Sequence, residues 1–403
     1  MNLKRLSQYL LFRVLVAVIL GIIGSFFFPE WLARVFATFN SLFGNFLGFF
    51  VPVLIFALIT PAIAGLGRGA GKWLGITTGI AYASTILAGL LAYAVAISAY
   101  PSLLGEESVN TGISDIDEGA ITPYFQIEMP PPFEVMTALL LAFCVGLAMT
   151  AVKSETLLKA SQDLERVIMK VIGSFVIPLL PVFIFGMFLT MGMNGNLTDT
   201  LKVFGKVIIL AIAMTFVFLA FQFGVAGAVA KINPFVAFKN MLPAYATALG
   251  TSSSAATIPV TYAATLKNKV DQNVAGFVIP LCATIHLAGS MVKITLFAFA
   301  IVHMSDLEVS PALAVGFILM LGVTMVAAPG VPGGAIMAAV GLLSSMLGFT
   351  DEQVALMIAA YIAIDSFGTA ANVTGDGAIA LIVNRFAKGR MSRVREVERT
   401  EPV

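Results

Sequence analysis

The chain has 403 residues, 59% of them hydrophobic and 11% charged, with a formal net charge of +1. Soluble globular domains carry about 25% charged residues, so these proportions place the chain among polytopic membrane proteins. The balanced charge gives no reason for a nucleic-acid partner, two distant cysteines (Cys144, Cys282) exclude a disulfide framework, and two histidines (His286, His303) exclude a multi-histidine metal centre.

The N-terminal stretch MNLKRLSQYLLFRVLVAVILGIIGSFFF opens with basic residues and continues as a long apolar run. A signal peptide has a core of about 7–15 residues, whereas this run reaches the ~20 residues that cross hydrocarbon. It reads as a retained first span. Six ordinary apolar runs follow one another at about 8–28, 38–64, 73–100, 134–152, 165–192 and 203–230. Lys4, Arg5, Arg13, Arg68, Lys72, Lys153, Lys159 and Lys231 fall on one side of them. Residues 101–133 carry Glu106, Glu107, Asp115, Asp117, Glu118 and Glu128 without a lysine or arginine. The positive-inside rule then puts the N-terminus in the cytoplasm, together with the basic C-terminal tail 385–403.

The second half changes character. Its apolar stretches are interrupted by GTSSSAATIPVT (250–261), CATIHLAGS (282–290), AAPGVPGGA (327–335) and DSFGTAANVTGD (365–376). Lys239 and Lys267 bracket the first cluster, so 233–266 reads as a hairpin entering and leaving from the cytoplasmic face. By the same argument 311–349 is a hairpin dipping from outside, with broken spans at 270–302 and 352–384. Non-helical backbone at membrane depth is tolerated only where protein buries it or water reaches it. Two opposed tips and two broken helices therefore imply an internal polar site, the architecture of a secondary transporter.

Asp365, Thr369, Asn372 and Asp376 stand at i, i+4, i+7 and i+11, which puts all four on one helical face. A charged side chain at mid-bilayer costs about 2.5–3.5 kcal/mol on insertion scales, so an intramembrane acid is read as functional unless a partner neutralises it. The structural alternative for Asp365 is a salt bridge to Lys293. Lys293 shares a face with His286, seven residues earlier, and lies too deep in its apolar run to reach water by snorkelling. It needs a carboxylate, either Asp376 or Asp365. Ser252, Ser253 and Ser254 have a plain helix-packing reading beside that of an exposed hairpin tip.

These four clusters, in this order, resemble the signature of the dicarboxylate/amino acid:cation symporter family, which contains the glutamate transporters. The resemblance covers nearly the whole chain. It implies an all-α polytopic fold of eight transmembrane helices with broken seventh and eighth spans, plus two opposed re-entrant hairpins, working as an elevator in a homotrimer. Residues 1–72 and 134–202 would be scaffold, 73–100 and 203–384 transport domain, and 101–133 an extracellular loop. The location implied is a cell membrane of prokaryotic type. Carried over residue by residue, Asp365 would pair with a substrate ammonium group. Thr369, Asn372, Ser253 and Ser254 would surround its carboxylate, with Gly330, Val331, Pro332, Gly333 and Gly368 completing the pocket. Cys282, Thr284, His286, Val326, Ala328, Asn372 and Asp376 match sodium sites.

Three departures set the expected chemistry. Acidic-substrate members place an arginine at the position of Gly368, or at the first tip, here Ser252, and this sequence shows no such cation. An unpaired buried carboxylate costs several kcal/mol, which favours a small neutral amino acid such as serine, threonine or alanine. The family motif Asn-Met-Asp-Gly-Thr reads here His286-Leu287-Ala288-Gly289-Ser290, so a third sodium site near Ser84 and Thr85 lacks its carboxylate. Lys293 stands where many members carry an aromatic residue, as a tethered cation replacing part of the sodium charge or, with His286, as part of a proton-linked cycle. The alternatives are proton-coupled or exchange transport of another solute, such as a dicarboxylate or acidic amino acid, an intramembrane serine hydrolase built on Ser252 and His286, and a simple channel, which would not call for a buried acid facing a hairpin tip.

Overall fold

A computed structural model describes residues 10–66, 71–104, 121–152, 154–193, 197–305, 307–326, 328 and 332–387. Among these residues all regular structure is helical: α1 (Leu10–Ser25), α2 (Glu30–Leu66), α3 (Gly71–Leu103), α4 (Val135–Val152), α5 (Glu155–Val171), α6 (Ile177–Met193), α7 (Leu197–Ala230), α8 (Pro234–Thr251), α9 (Ser254–Lys267), α10 (Gln272–Ile285), α11 (Ala288–Met304), α12 (Pro311–Val326), α13 (Gly334–Leu347), α14 (Asp351–Ala363) and α15 (Asp365–Ala387). Five described stretches are each long and apolar enough to cross a bilayer: Glu30–Pro61, Lys72–Leu103, Glu155–Met193, Leu201–Ala230 and Gln272–Met304. The pair α14 and α15, bent by 62°, makes a sixth if counted as one broken span.

Two boundaries depart from the apolar runs. α2 starts at Glu30 rather than near 38, because a helix already nucleated carries Glu30 and Arg34 that a hydropathy reading excludes. The run expected at 165–192 is three pieces: α5, a π-turn over Ile172–Val176, and α6. α5 is polar on one side and apolar on the other, so its first turns escape a search for continuous apolar residues. Ser154 caps it by accepting from the Leu157 N–H (3.3 Å).

α1, α2, α4, α5 and α6 pack chiefly on one another, α1 against α6 and α2 against α4 and α5. Arg13 of α1 donates to the Pro178 carbonyl in α6 (3.0 Å), which satisfies part of a guanidinium held among apolar helices. The remaining helices gather around α11 and α15. The buried apolar side chains form two cores. One runs through α11–α14 and also takes in α1, α2 and α6; the other joins α7–α10 to the body of α15. The break between α14 and α15 therefore lies on the seam between the two cores.

α11 and α15 cross very closely at Gly289. A Cβ there would sit 2.7 Å from the Ala371 Cβ and 3.2 Å from Asn372 Oδ1. Gly289→Ala is expected to destabilise the fold by about 1–3 kcal/mol, the usual cost of overpacking. A thermal-shift measurement in detergent reads this as a lowered Tm; an unchanged Tm would mean the helices do not meet there.

Candidate functional site

Two polar clusters contain a short gap between helices, at Ser252–Ser253 and His286–Leu287, and the last begins immediately after the gap at Ile364. α8 ends at Thr251 with Ser252 as its C-cap in the left-handed region (φ 49°), and α9 begins at Ser254. Ser253 is the N-cap of α9, its hydroxyl accepting from the Ala256 N–H (3.3 Å), while its carbonyl accepts from the Thr257 hydroxyl (2.7 Å). Ser254 is buried in the first turn of α9. The serine run thus makes a reversal with only two residues between helices, and capping explains part of its composition. In the cluster AAPGVPGGA, Gly333 caps α13 with φ +75°, a conformation glycine adopts without a Cβ penalty. Pro332 and Ala328 are described beside it, whereas Gly330 and Val331 lie outside the described residues.

The Asp365 carboxylate opens α15 immediately after the bend and is held from two sides. Oδ2 accepts from the Gly333 N–H (2.8 Å) at the N-terminus of α13, a favourable place for an anion. Oδ1 faces the Lys293 ammonium at 3.3 Å. Lys293 is fully buried, with 0% exposure, so its charge has no route to water. Its ammonium also donates to the Ile364 carbonyl (3.3 Å) and the Asp365 carbonyl (3.5 Å), and lies 3.7 Å from the centre of the Tyr361 ring. The lysine thereby adds to the bonds around the bend, where the Ile364 carbonyl also accepts from the Phe367 N–H (3.1 Å). It also packs directly on Gly368, where any Cβ would collide with the lysine ε-carbon.

This corrects the expectation that no cation stands near Gly368. An ammonium supplied from α11 fills that space, and its charge is already matched by Asp365. Of the two carboxylates offered to Lys293 by the sequence, Asp365 is the partner. Thr369 donates to the Asp365 carbonyl one turn back (3.1 Å).

The other half of the motif is spent differently. Asn372 Oδ1 accepts from the Gly289 and Ser290 N–H groups (2.8 and 3.4 Å), and its amide donates to the Ser290 hydroxyl (3.2 Å). Asn372 therefore caps the start of α11 from the neighbouring helix. The Tyr361 hydroxyl donates to the same Ser290 oxygen (2.9 Å) and so ties α14 into the group.

Asp376 lies one further turn along α15 and belongs to a second cluster. His286, in the gap between α10 and α11, has Nδ1 2.9 Å from Asp376 Oδ1. Its Nε2 stands 3.2 Å from the Ser84 hydroxyl and 3.1 Å from the Gln222 amide nitrogen, which also donates to Ser84 (2.8 Å). All contacts are met when Nδ1 carries the proton and donates to Asp376, leaving Nε2 to accept. Asp376 Oδ2 and Gln222 Oε1 are buried with no partner among the described residues. Buried carboxylate oxygens without partners are costly, and a small cation with oxygen preference would satisfy them.

Cys282 is buried one turn before His286, whose N–H donates to its carbonyl (2.9 Å). Thr284 is not gathered in: it is exposed and donates to the Leu281 carbonyl of its own helix (2.7 Å). Val326 and Ala328 lie at the end of α12, the latter buried. Ser252, the nucleophile of the hydrolase alternative, is a helix cap, and the hydroxyl that faces His286 is that of Ser84. Gln222 and Tyr361 were missed. Gln222 is a lone amide in the apolar run FVFLAFQFGVAG, a signal of the same kind as Lys293, and Tyr361 stands four residues before Asp365.

Residues 10–386 match the family model described as the sodium:dicarboxylate symporter family. Curated relatives include excitatory amino acid transporter 3 of Oryctolagus cuniculus, 36% identical over 171 residues, which is 41% of this chain and 32% of that protein. Excitatory amino acid transporter 5 of Homo sapiens is 32% identical over 179 residues, 43% of this chain and 31% of the relative. Excitatory amino acid transporter 1 of Ambystoma tigrinum is 35% identical over 166 residues, 40% and 30% of the two chains. The chain thus spans about a third of the length of the curated relatives it matches.

Proposed function

The chain belongs to the sodium:dicarboxylate symporter family, and from that premise we propose that it is a cation-coupled secondary transporter of small neutral amino acids such as serine, threonine or alanine. The observation that carries the substrate class is the buried Asp365–Lys293 pair at the helix break. The pair has no net charge, so a zwitterion adds none, whereas a net-anionic ligand would bury an uncompensated charge at a cost of several kcal/mol. Asp365 serves the ligand's ammonium. Thr369, Ser253, Ser254 and the second tip, Gly330 to Gly333, serve the remainder, with Gly368 and Asn372 lining the pocket.

Sodium is the favoured coupling ion, a cargo rather than a resident cofactor. Asp376 Oδ2, which has no partner among the described residues, supports this, and Cys282, His286, Val326, Ala328 and Asn372 are the other candidates for the site. Thr284 reaches such a site only by leaving its present bond. In this reading α1, α2 and α4–α6 are a fixed scaffold. α3 and α7–α15 move as the transport domain of an elevator, with α8–α9 and α12–α13 as opposed re-entrant hairpins within eight spans. The assembly is a homotrimer in a prokaryotic cell membrane, with both termini cytoplasmic.

A second reading, transport of an acidic amino acid or a dicarboxylate with sodium or protons, rests on the Lys293 ammonium beside Gly368. Uptake of labelled serine, alanine and glutamate into reconstituted vesicles, with and without an inward sodium gradient, separates the two. Accumulation of alanine or serine that requires sodium supports the first reading. Glutamate accumulation with no response to alanine would replace it with the second.

A further inference from the structure

Lys293 is a buried charge that a neutral-ligand pocket does not need, and its surroundings suggest what it does. Its ammonium makes no short bond: the three oxygens around it lie at 3.3, 3.3 and 3.5 Å, the long end of hydrogen-bonding range. It has a second resting place in the Tyr361 ring and the Ile364 carbonyl, both of which it already touches. Gly368 leaves open the space that the Lys293 side chain occupies beside Asp365. Asp365 is the one carboxylate that pairs with it among the described residues.

We infer that Lys293 is a specificity-determining residue that exchanges partners with the ligand. In the empty carrier its ammonium occupies Asp365. When a zwitterion enters, the ligand's ammonium takes its place on Asp365, and the Lys293 ammonium takes the ligand's carboxylate. Two ion pairs then stand where there was one, and the buried net charge stays at zero throughout. No bond is made or broken and no proton moves. The rule that follows is that both charges together select a zwitterion, while a charge kept on only one of residues 293 and 365 selects a ligand of the opposite charge. This rests on the amino-acid reading above and extends it, because it assigns the ligand's carboxylate to a side chain on α11.

The test uses purified full-length protein in sodium and three probes of nearly equal size: alanine (net charge zero), alaninamide (positive) and lactate (negative). The wild type is expected to bind alanine at least 100-fold more tightly than either of the others. In Lys293→Met the pair becomes a lone carboxylate, and the preference should invert towards alaninamide, moving the alanine-to-alaninamide ratio by 100-fold or more. Lys293→Gln carries the same expectation and keeps hydrogen-bond donors for the bend if the methionine variant does not accumulate. In Asp365→Asn the lone cation should favour lactate over alaninamide. A ratio that stays within threefold of wild type in both lysine variants would overturn the partner exchange while leaving the amino-acid reading standing. A wild type that binds lactate or alaninamide in preference to alanine would overturn both.

Discussion

Asp365→Asn is expected to lower neutral amino-acid uptake by at least 100-fold and to destabilise the protein at the same time. Two separate losses combine. The ligand's ammonium loses its counter-charge, and Lys293, with 0% exposure, is left as a buried cation with carbonyls and a ring but no anion. Removing one member of a buried pair costs about 3–5 kcal/mol, and each 1.36 kcal/mol is a factor of ten in an equilibrium. The two losses are separable. Adding Lys293→Met removes the stranded charge, so the double variant should recover Tm to within a few degrees of wild type. Uptake should stay abolished, because nothing receives the ammonium. Transport in vesicles and thermal shift on the same preparations check this. If the double variant regains uptake with stability, Asp365 is a structural partner of Lys293 and nothing more.

His286→Ala is expected to show its effect in the response to sodium. His286 supplies the partner of Asp376 Oδ1 and joins Ser84 to Gln222. Without it the carboxylate of Asp376 has no partner at either oxygen among the described residues. In a choline medium the variant should be less stable than wild type by about 1.5–3 kcal/mol, the usual worth of a hydrogen bond to a charged group. A cation that binds only the folded state stabilises it by RT ln(1 + [L]/Kd), which is about 2.7 kcal/mol at a hundredfold excess over Kd. Sodium should therefore raise the Tm of the variant by more than it raises that of wild type. An identical sodium increment in both proteins would place the cation away from Asp376.

The sequence disclosed the local breaks well, because glycine, proline and hydroxyl residues within apolar runs have few structural uses. The gaps at Ser252–Ser253, His286–Leu287 and Ile364 each fall inside one of the four polar clusters or beside it. The i, i+4, i+7, i+11 face of the last helix is present in α15, which runs unbroken from Asp365 to Ala387. What could not be read was how that face is divided. Asp365 goes to Lys293 and the α13 cap, Asn372 to the α11 cap, and Asp376 to His286, since three different helices pack against successive turns. Gly368 illustrates the limit most clearly. In sequence it is the absence of a side chain and hence of a cation; in space it is the vacancy that a lysine from 75 positions away fills. Thr284 shows the same limit from the other side, because its hydroxyl turns back to its own helix in this structure.

The most direct measurement is an equilibrium titration of purified wild-type protein with labelled alanine in sodium, repeated with succinate as competitor. Saturable alanine binding that a hundredfold excess of succinate leaves in place is the result expected from a net-neutral Asp365–Lys293 pair. Succinate binding with no response to alanine would contradict it.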